Sequence, residues 1–204
     1  MSFAVAVLVS GTGSNLQALI DTAHGRDGIE IVGVVSNKAE VPALQRAADA
    51  GIETAVFGVA DHPDRAARDD AIADWLEARG VELVVLAGFM EILSAGLIER
   101  YRGRIVNVHP SLLPAFPGLR SIEQALDYGV RVTGVTVHFV EEGVDSGPII
   151  MQEAFALPYH RDIEAVETRI HQIEHELLPR AVRLIAAGGV EVDGRQVRVS
   201  DGED

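Results

Sequence analysis

Residues Phe3 to Val9 form an unbroken apolar run, closed by the glycine-rich stretch Gly11-Thr12-Gly13-Ser14-Asn15. A strand with no polar position has no face to offer water, so it must be covered on both sides. Further strand-like runs follow at Ile29 to Val35, Leu83 to Ala87 and Arg104 to Val108, with a shorter one at Glu53 to Phe57. Helical patterns alternate with them: Leu16 to Ala23, Pro42 to Ala50, and Asp64 to Arg79, whose apolar stripe is Ile72, Trp75 and Leu76. Ser94 is placed to cap another helix ahead of the 104–108 strand. Strands alternating with helices of this length pair in parallel through right-handed crossovers. The fold class is therefore α/β, a Rossmann-like, mostly parallel sheet flanked by helices.

The pattern changes after residue 109. His109 to Gly118 is a loop carrying Pro110, Pro114 and Pro117, followed by a short helix, Ser121 to Tyr128. Two β-rich runs, Arg131 to Val140 and Pro148 to Leu157, flank a polar turn from Glu141 to Gly147. Asp162 to Ala187 is the longest helix, with apolar residues at 163, 166, 170, 173 and 177, and Pro179 is expected to kink or restart it. Val190 to Val199 reads as a small C-terminal hairpin around Asp193-Gly194, and Ser200 to Asp204 is expected to fray. The whole chain, 1–204, is expected to be one domain, with halves 1–103 and 104–188 and a hairpin and tail at 189–204.

Charge narrows the function. With 17 basic and 31 acidic side chains the net charge is −14, which argues against nucleic acid or an anionic membrane as a partner. A small anion remains possible, because a helix N-terminus can make a local positive site inside an acidic envelope. The absence of cysteine removes disulfides, thiolate metal sites and a cysteine nucleophile. The first apolar run is too short for a signal peptide or a membrane span, so the protein is expected to stay in the cytoplasm.

Gly11-x-Gly13 between a strand and a helix suggests an anion site built from backbone N–H groups. The alternative is a tight turn in which Ser14 or Asn15 caps the helix. A dinucleotide fits less well. Leu16 or Gln17 stands where the third glycine of that fingerprint belongs, and Ser36-Asn37-Lys38 where a ribose-binding acid is expected. Asn107-Val108-His109-Pro110 lies at the C-terminal end of a buried strand, where open α/β sheets bind ligands. Asn107 and His109 share a side of that strand. They read either as a turn-former and a satisfied strand-end histidine, or as donors for an oxyanion. Asp145 favours the second reading, since a carboxylate beside an imidazole favours its charged form and fixes its orientation. Acyl transfer to an amine needs only such donors and a route for the amine's proton to leave.

The run Asn107-Val108-His109-Pro110-Ser111-Leu112-Leu113-Pro114, followed by Phe116-Pro117-Gly118, resembles the signature of the folate-dependent formyltransferases. The similarity extends to Leu86-Ala87-Gly88-Phe89-Met90, Asp145-Ser146-Gly147-Pro148, Gly13-Ser14-Asn15-Leu16, Ser36-Asn37-Lys38 and Glu174-His175, covering about residues 3 to 187. The resemblance implies transfer of the formyl group of 10-formyltetrahydrofolate, a co-substrate, to the amine of glycinamide ribonucleotide, without metal. It implies Asn107, His109 and Asp145 as catalytic residues. Asn107 would hold the formyl oxygen, His109 would stabilise the oxyanion and Asp145 would help move the proton. Gly13, Ser14 and Asn15 would contact the ribonucleotide phosphate, with His171, Gln172, Ile173 and Glu174 at its other end. Arg65, Met90, Glu91, Ile92, Leu93, Asn107 and the loop Glu141, Glu142, Gly143, Val144 and Asp145 would hold the folate. Glu91 departs from the pattern, because a basic residue commonly follows this methionine in the family. Neither the tRNA-binding nor the regulatory domain of some family members is expected here, and a homodimer is compatible with such a chain.

Three rival readings come with these residues. His171-Gln172-Ile173-Glu174-His175 spells an inverted zinc-peptidase pattern, but its third ligand should lie well downstream and only helix end and hairpin follow. A formyl-folate hydrolase would use the same Asn-His-Asp set. A non-catalytic folate or nucleotide binder would not need it.

Overall fold

The computed structural model describes residues 2–159 and 162–200. They fall into two compact units, one through Asn107 and one from Val108. The first unit contains β1 (Phe3–Val9), α1 (Ser14–Thr22), β2 (Ile29–Ser36), α2 (Pro42–Asp49), β3 (Thr54–Val56), α3 (Arg65–Glu77), β4 (Leu83–Leu86), α4 (Ala95–Arg100) and most of β5 (Ile105–His109). β1 pairs in parallel with β2 and β4, β2 with β3, and β4 with β5. Val5 to Val9 and Leu83 to Val85 are buried, as strands covered on both faces must be.

Helix starts follow local chemistry. Asp64 accepts a hydrogen bond from the Ala67 N–H and so caps α3, Ser94 does the same for Leu97 in α4, and Pro42 opens α2. Trp75 of α3 packs on β2 at Gly33, where a Cβ would stand 2.2 Å from the indole ring; Arg79 lies 3.7 Å from the ring centroid. Ile72 and Leu76 are buried as the apolar stripe requires. The same helix also buries two charged residues, Arg68 and Asp69, which the stripe did not indicate.

The second unit holds α5 (Ser121–Tyr128), β6 (Val132–Phe139), β7 (Ile149–Ala156), α6 (Ile163–Ala186) and the hairpin of β8 (Val190–Asp193) and β9 (Gln196–Val199). β6 and β7 are antiparallel, and the seven-stranded sheet runs in the order β3-β2-β1-β4-β5-β6-β7. α6 is continuous through Pro179, so the helix does not restart there. The proline removes one N–H from the helix ladder, but Leu177, Leu178, Pro179, Ala181 and Val182 are all buried, and packing holds the segment helical. The hairpin forms where expected, one residue out of step. Asp193 pairs with Gln196, so the turn is Gly194-Arg195, with Gly194 supplying the positive φ of 59° at its first position. Ser200 donates to the Gly189 carbonyl, and the rest of the expected frayed tail, 201–204, lies outside the described residues.

The proline-rich loop after β5 is fastened to β6 and β7. Thr136 Oγ1 donates to the Ser111 carbonyl at 2.7 Å and accepts from the Leu113 N–H, while Gln152 donates to both the Leu113 carbonyl and Thr136. Gly134 gives this layer its clearance, since a Cβ there would meet the Glu153 carbonyl oxygen at 2.0 Å and Leu112 Cδ2 at 2.7 Å. Gly134→Ala should therefore force two backbones apart and cost about 3 kcal/mol, the upper part of the overpacking range. Urea unfolding should show it as a lower midpoint with an unchanged slope.

Candidate active site

Three nitrogens converge on the Asp145 carboxylate in the second unit. Its Oδ2 accepts from the Gly118 N–H at 2.7 Å and lies 3.3 Å from His109 Nδ1, while Oδ1 lies 3.6 Å from His138 Nε2. All three side chains are largely withdrawn from water; His109 is 5% exposed. The second nitrogen of each ring also faces an oxygen. His109 Nε2 donates to the Phe116 carbonyl at 2.9 Å and His138 Nδ1 to the Phe139 carbonyl at 2.8 Å. Each ring thus faces an oxygen at both nitrogens, which fixes its orientation.

The backbone makes this geometry possible. Asp145, Phe116 and Arg120 all adopt positive φ, at 49°, 52° and 54°, in the two loops that meet here. Gly147 lets the 141–147 turn lie against β6, because a Cβ there would stand 1.9 Å from the Phe139 carbonyl. Arg195, from the hairpin turn, donates to the Ser146 carbonyl at 2.8 Å and braces the same turn from outside. Burial alone would push the Asp145 carboxyl up. The hydrogen bonds from His138 and Gly118 and the charges of both histidines outweigh it and hold the group below its ordinary 3.8.

His138 is the residue that sequence reasoning missed. It is the penultimate residue of the buried strand β6, directly after a register shift between Val137 and His138. A bulge re-aims a side chain locally, so simple alternation could not point to it. The only signal was a histidine near the end of a β-rich run, next to the acidic turn.

Other expected site residues are placed as follows. β5 carries Asn107 and His109 two residues apart, with Asn107 half-buried. In the first unit, Gly13 is the N-cap of α1 at φ 74°, no side chain caps the helix, and its first turn holds no acid. Ser14 and Asn15 are thus the first helical residues and not its cap. A Cβ on Gly13 would stand 2.7 Å from that of Ala43. Arg46 donates from Nε to the Thr12 carbonyl and from Nη1 to Gln17, setting a cation beside this loop that its position in α2 had not suggested. Arg65 is exposed at the start of α3. Met90 and Ile92 are 64% and 63% exposed, Glu91 is half-buried and Leu93 is buried. Glu141, Glu142, Gly143 and Val144 are exposed. On α6, His171 and Gln172 are exposed, Glu174 is buried, and Ile173 is fully buried in the packed face, where only its backbone could meet a ligand. The His171 and His175 rings stack at 6.2 Å, and no group of three or more potential ligands that could hold a metal occurs among the described residues.

Residues 3–182 match the Formyl transferase family. The chain belongs to the formyl transferase family. Among solved structures, this formyltransferase is similar to glycinamide ribonucleotide transformylase 1 of Symbiobacterium toebii, with a TM-score of 0.95 and 44% identity over 98% of this chain and 95% of that one. It is 41% identical to phosphoribosylglycinamide formyltransferase of Haemophilus influenzae, over 90% of this chain and 87% of that protein. It is also 48% identical to the trifunctional purine biosynthetic protein adenosine-3 of Bos taurus, over 92% of this chain. The chain spans only 19% of that trifunctional protein's length. The mostly parallel sheet with a C-terminal hairpin is the formyltransferase fold.

The depressed Asp145 carboxyl has a definite consequence for stability. A carboxyl whose value is lower folded than unfolded contributes stability that is present above its unfolded value, and that is lost as pH falls through the folded one. The stability difference between wild type and Asp145→Asn should therefore shrink below about pH 4, as the carboxyl takes up its proton. Urea unfolding of both proteins across pH 7 to 3 measures it, and a difference that stays flat to pH 3 would contradict the charge assignment.

Proposed function

We propose that this formyltransferase acts in the cytoplasm, moving the formyl group of 10-formyltetrahydrofolate to the amine of glycinamide ribonucleotide, a step of purine biosynthesis. The observation that carries the reading is the Asp145–His109 contact at 3.3 Å on the strand end that bears the family's signature. The names of the relatives described above support the acceptor, and none of those three is named a hydrolase.

The amine lone pair attacks the formyl carbon, and the carbonyl π electrons move onto oxygen. Asn107 and His109 donate to that oxygen. The Phe116 carbonyl, 2.9 Å from His109 Nε2, marks the distance at which an oxyanion would sit once it takes that carbonyl's place. Asp145 holds the His109 ring and receives the ammonium proton, directly or through water. The oxyanion's electrons then return to re-form the carbonyl, the bond from carbon to folate nitrogen breaks, and that nitrogen takes the proton Asp145 received and leaves as tetrahydrofolate. Gly13, Ser14 and Asn15 at the uncapped start of α1, with Arg46 behind them, take the phosphate. Glu174 meets the glycinamide end. The 90–93 segment and the 141–145 loop contribute to the folate site.

A coupled assay with 10-formyltetrahydrofolate, run with and without glycinamide ribonucleotide, tests the proposal. Folate should be consumed only when the amine is present, and equal consumption without it would make the protein a hydrolase. Folded His109→Ala should lose about 10²–10³ in rate. Gly13→Val should weaken calorimetric binding of the ribonucleotide more than that of the folate, and equal losses would remove the loop from the phosphate site.

A further inference from the structure

Arg68 is 1% exposed and its neighbour Asp69 is fully buried, a charge pair that the folate reading did not use. A buried guanidinium is stable only when its charge is neutralised and its donors are met. Nε and Nη2 of Arg68 both donate to Asp69 Oδ1, at 2.9 and 2.8 Å. Asp69 Oδ2 accepts from the Ser94 N–H at 2.5 Å, beyond the far end of the 90–93 segment. Arg68 Nη1 lies 3.6 Å from Glu91 Oε2, and Glu91 Oε1 accepts from Asn37 Nδ2 at 3.0 Å. At the near end, the Met90 N–H donates to Ser10 Oγ.

The segment is therefore pinned at Met90, Glu91 and Ser94. Between those points Met90 and Ile92 are held outward at 64% and 63% exposure. Two large apolar side chains kept in water by a buried charged network form an apolar edge suited to a flat heteroaromatic ring.

We infer that Arg68 is a positioning residue for the folate site, acting through Glu91 to fix the Met90–Leu93 segment. The inference rests on the reading of that segment as part of the folate site. It also gives the departure at residue 91 a physical role. The Glu91 carboxylate is turned inward onto Arg68 and Asn37; the single charge of Arg68 is shared with Asp69, so Glu91 acts here by holding the segment and not by removing charge. Arginine at this position, the kind of residue common in the family, would here face a buried guanidinium and the donating amide of Asn37. Glu91→Arg should thus weaken folate binding.

Four variants and two readouts test this: Glu91→Arg, Glu91→Gln, Arg68→Gln and the double Arg68→Gln/Glu91→Gln, each checked for folding by thermal melting. The KM for 10-formyltetrahydrofolate should rise about tenfold in Glu91→Arg and about threefold in Glu91→Gln, with little change in the KM for the ribonucleotide. Glu91→Gln should add nothing in the Arg68→Gln background, because contacting residues that act together are not additive. A folate KM that is unchanged or lower in Glu91→Arg overturns the inference. The second readout needs no ligand. Amide hydrogen exchange across 90–94 should speed up about tenfold in Glu91→Gln, and unchanged exchange overturns the clamp even where Arg68→Gln fails to fold. Calorimetry with tetrahydrofolate on wild type separates the two levels. Absence of binding would sink the folate reading itself, while exchange still decides whether Arg68 and Glu91 hold the segment.

Discussion

Strands buried on both faces cannot carry polar chemistry along their length, and the first unit of this protein is built from such strands. Every polar group that matters must wait until the chain leaves the sheet. It does so at the C-terminal ends: Ser10 and Gly11 after β1, Ser36 and Asn37 at the end of β2, Gly88 to Met90 after β4, and Asn107 in β5. Parallel pairing points all of these exits the same way, so the constraint that forces apolar strands also gathers the functional groups. The cost falls on the turns, which must bend sharply within a few residues, and Gly13 and Gly88 meet it with φ of 74° at both positions.

In the second unit the organising group is a single carboxylate. Asp145 collects a backbone N–H and two imidazoles, and each imidazole is held at its other nitrogen by a carbonyl. A lone buried carboxylate would tend to take up a proton. Here the converging donors favour the ionised form, which in turn keeps both rings oriented. The same contacts tie together three parts of the chain: the strand end of β5 with its proline loop, the bulged end of β6, and the 141–147 turn. Thr136 and Gln152 fix the proline loop from the other side.

Much of this was legible in the residues. The two-sided strands, the capping role of Ser94, the Ser121 to Tyr128 helix and the Asp145–His109 pairing follow from apolar period, cap chemistry and motif. What escaped has a common cause, since it depends on contacts between segments distant in sequence. His138 reaches Asp145 through a bulge that no periodicity encodes. Arg46 reaches the glycine loop from a different helix. Pro179 looked like a helix breaker because its neighbours' burial is invisible in a local window. Nothing local marks Arg68 and Asp69, because a charged side chain is rarely buried unless paired, and the further partner, Glu91, lies beyond the next strand.

The proposed function asks a protein of net charge −14 to take two anionic ligands, which would seem set against its own surface. At physiological ionic strength, however, exposed charges are screened beyond about 8 Å, so the acidic surface as a whole has little reach. What a bound anion senses is the first few ångströms. At the glycine loop these contain the uncapped start of α1, a first turn without acids, and the Arg46 guanidinium. At the 90–93 segment the nearest acid, Glu91, is already engaged by Arg68 and Asn37. At the glycine loop, then, local groups and not the global charge set the potential that an anion would meet. The Arg68–Glu91 contact works differently: in the reading proposed above it fixes the geometry of the segment, without the electrostatic attraction to anions that an exposed arginine would offer.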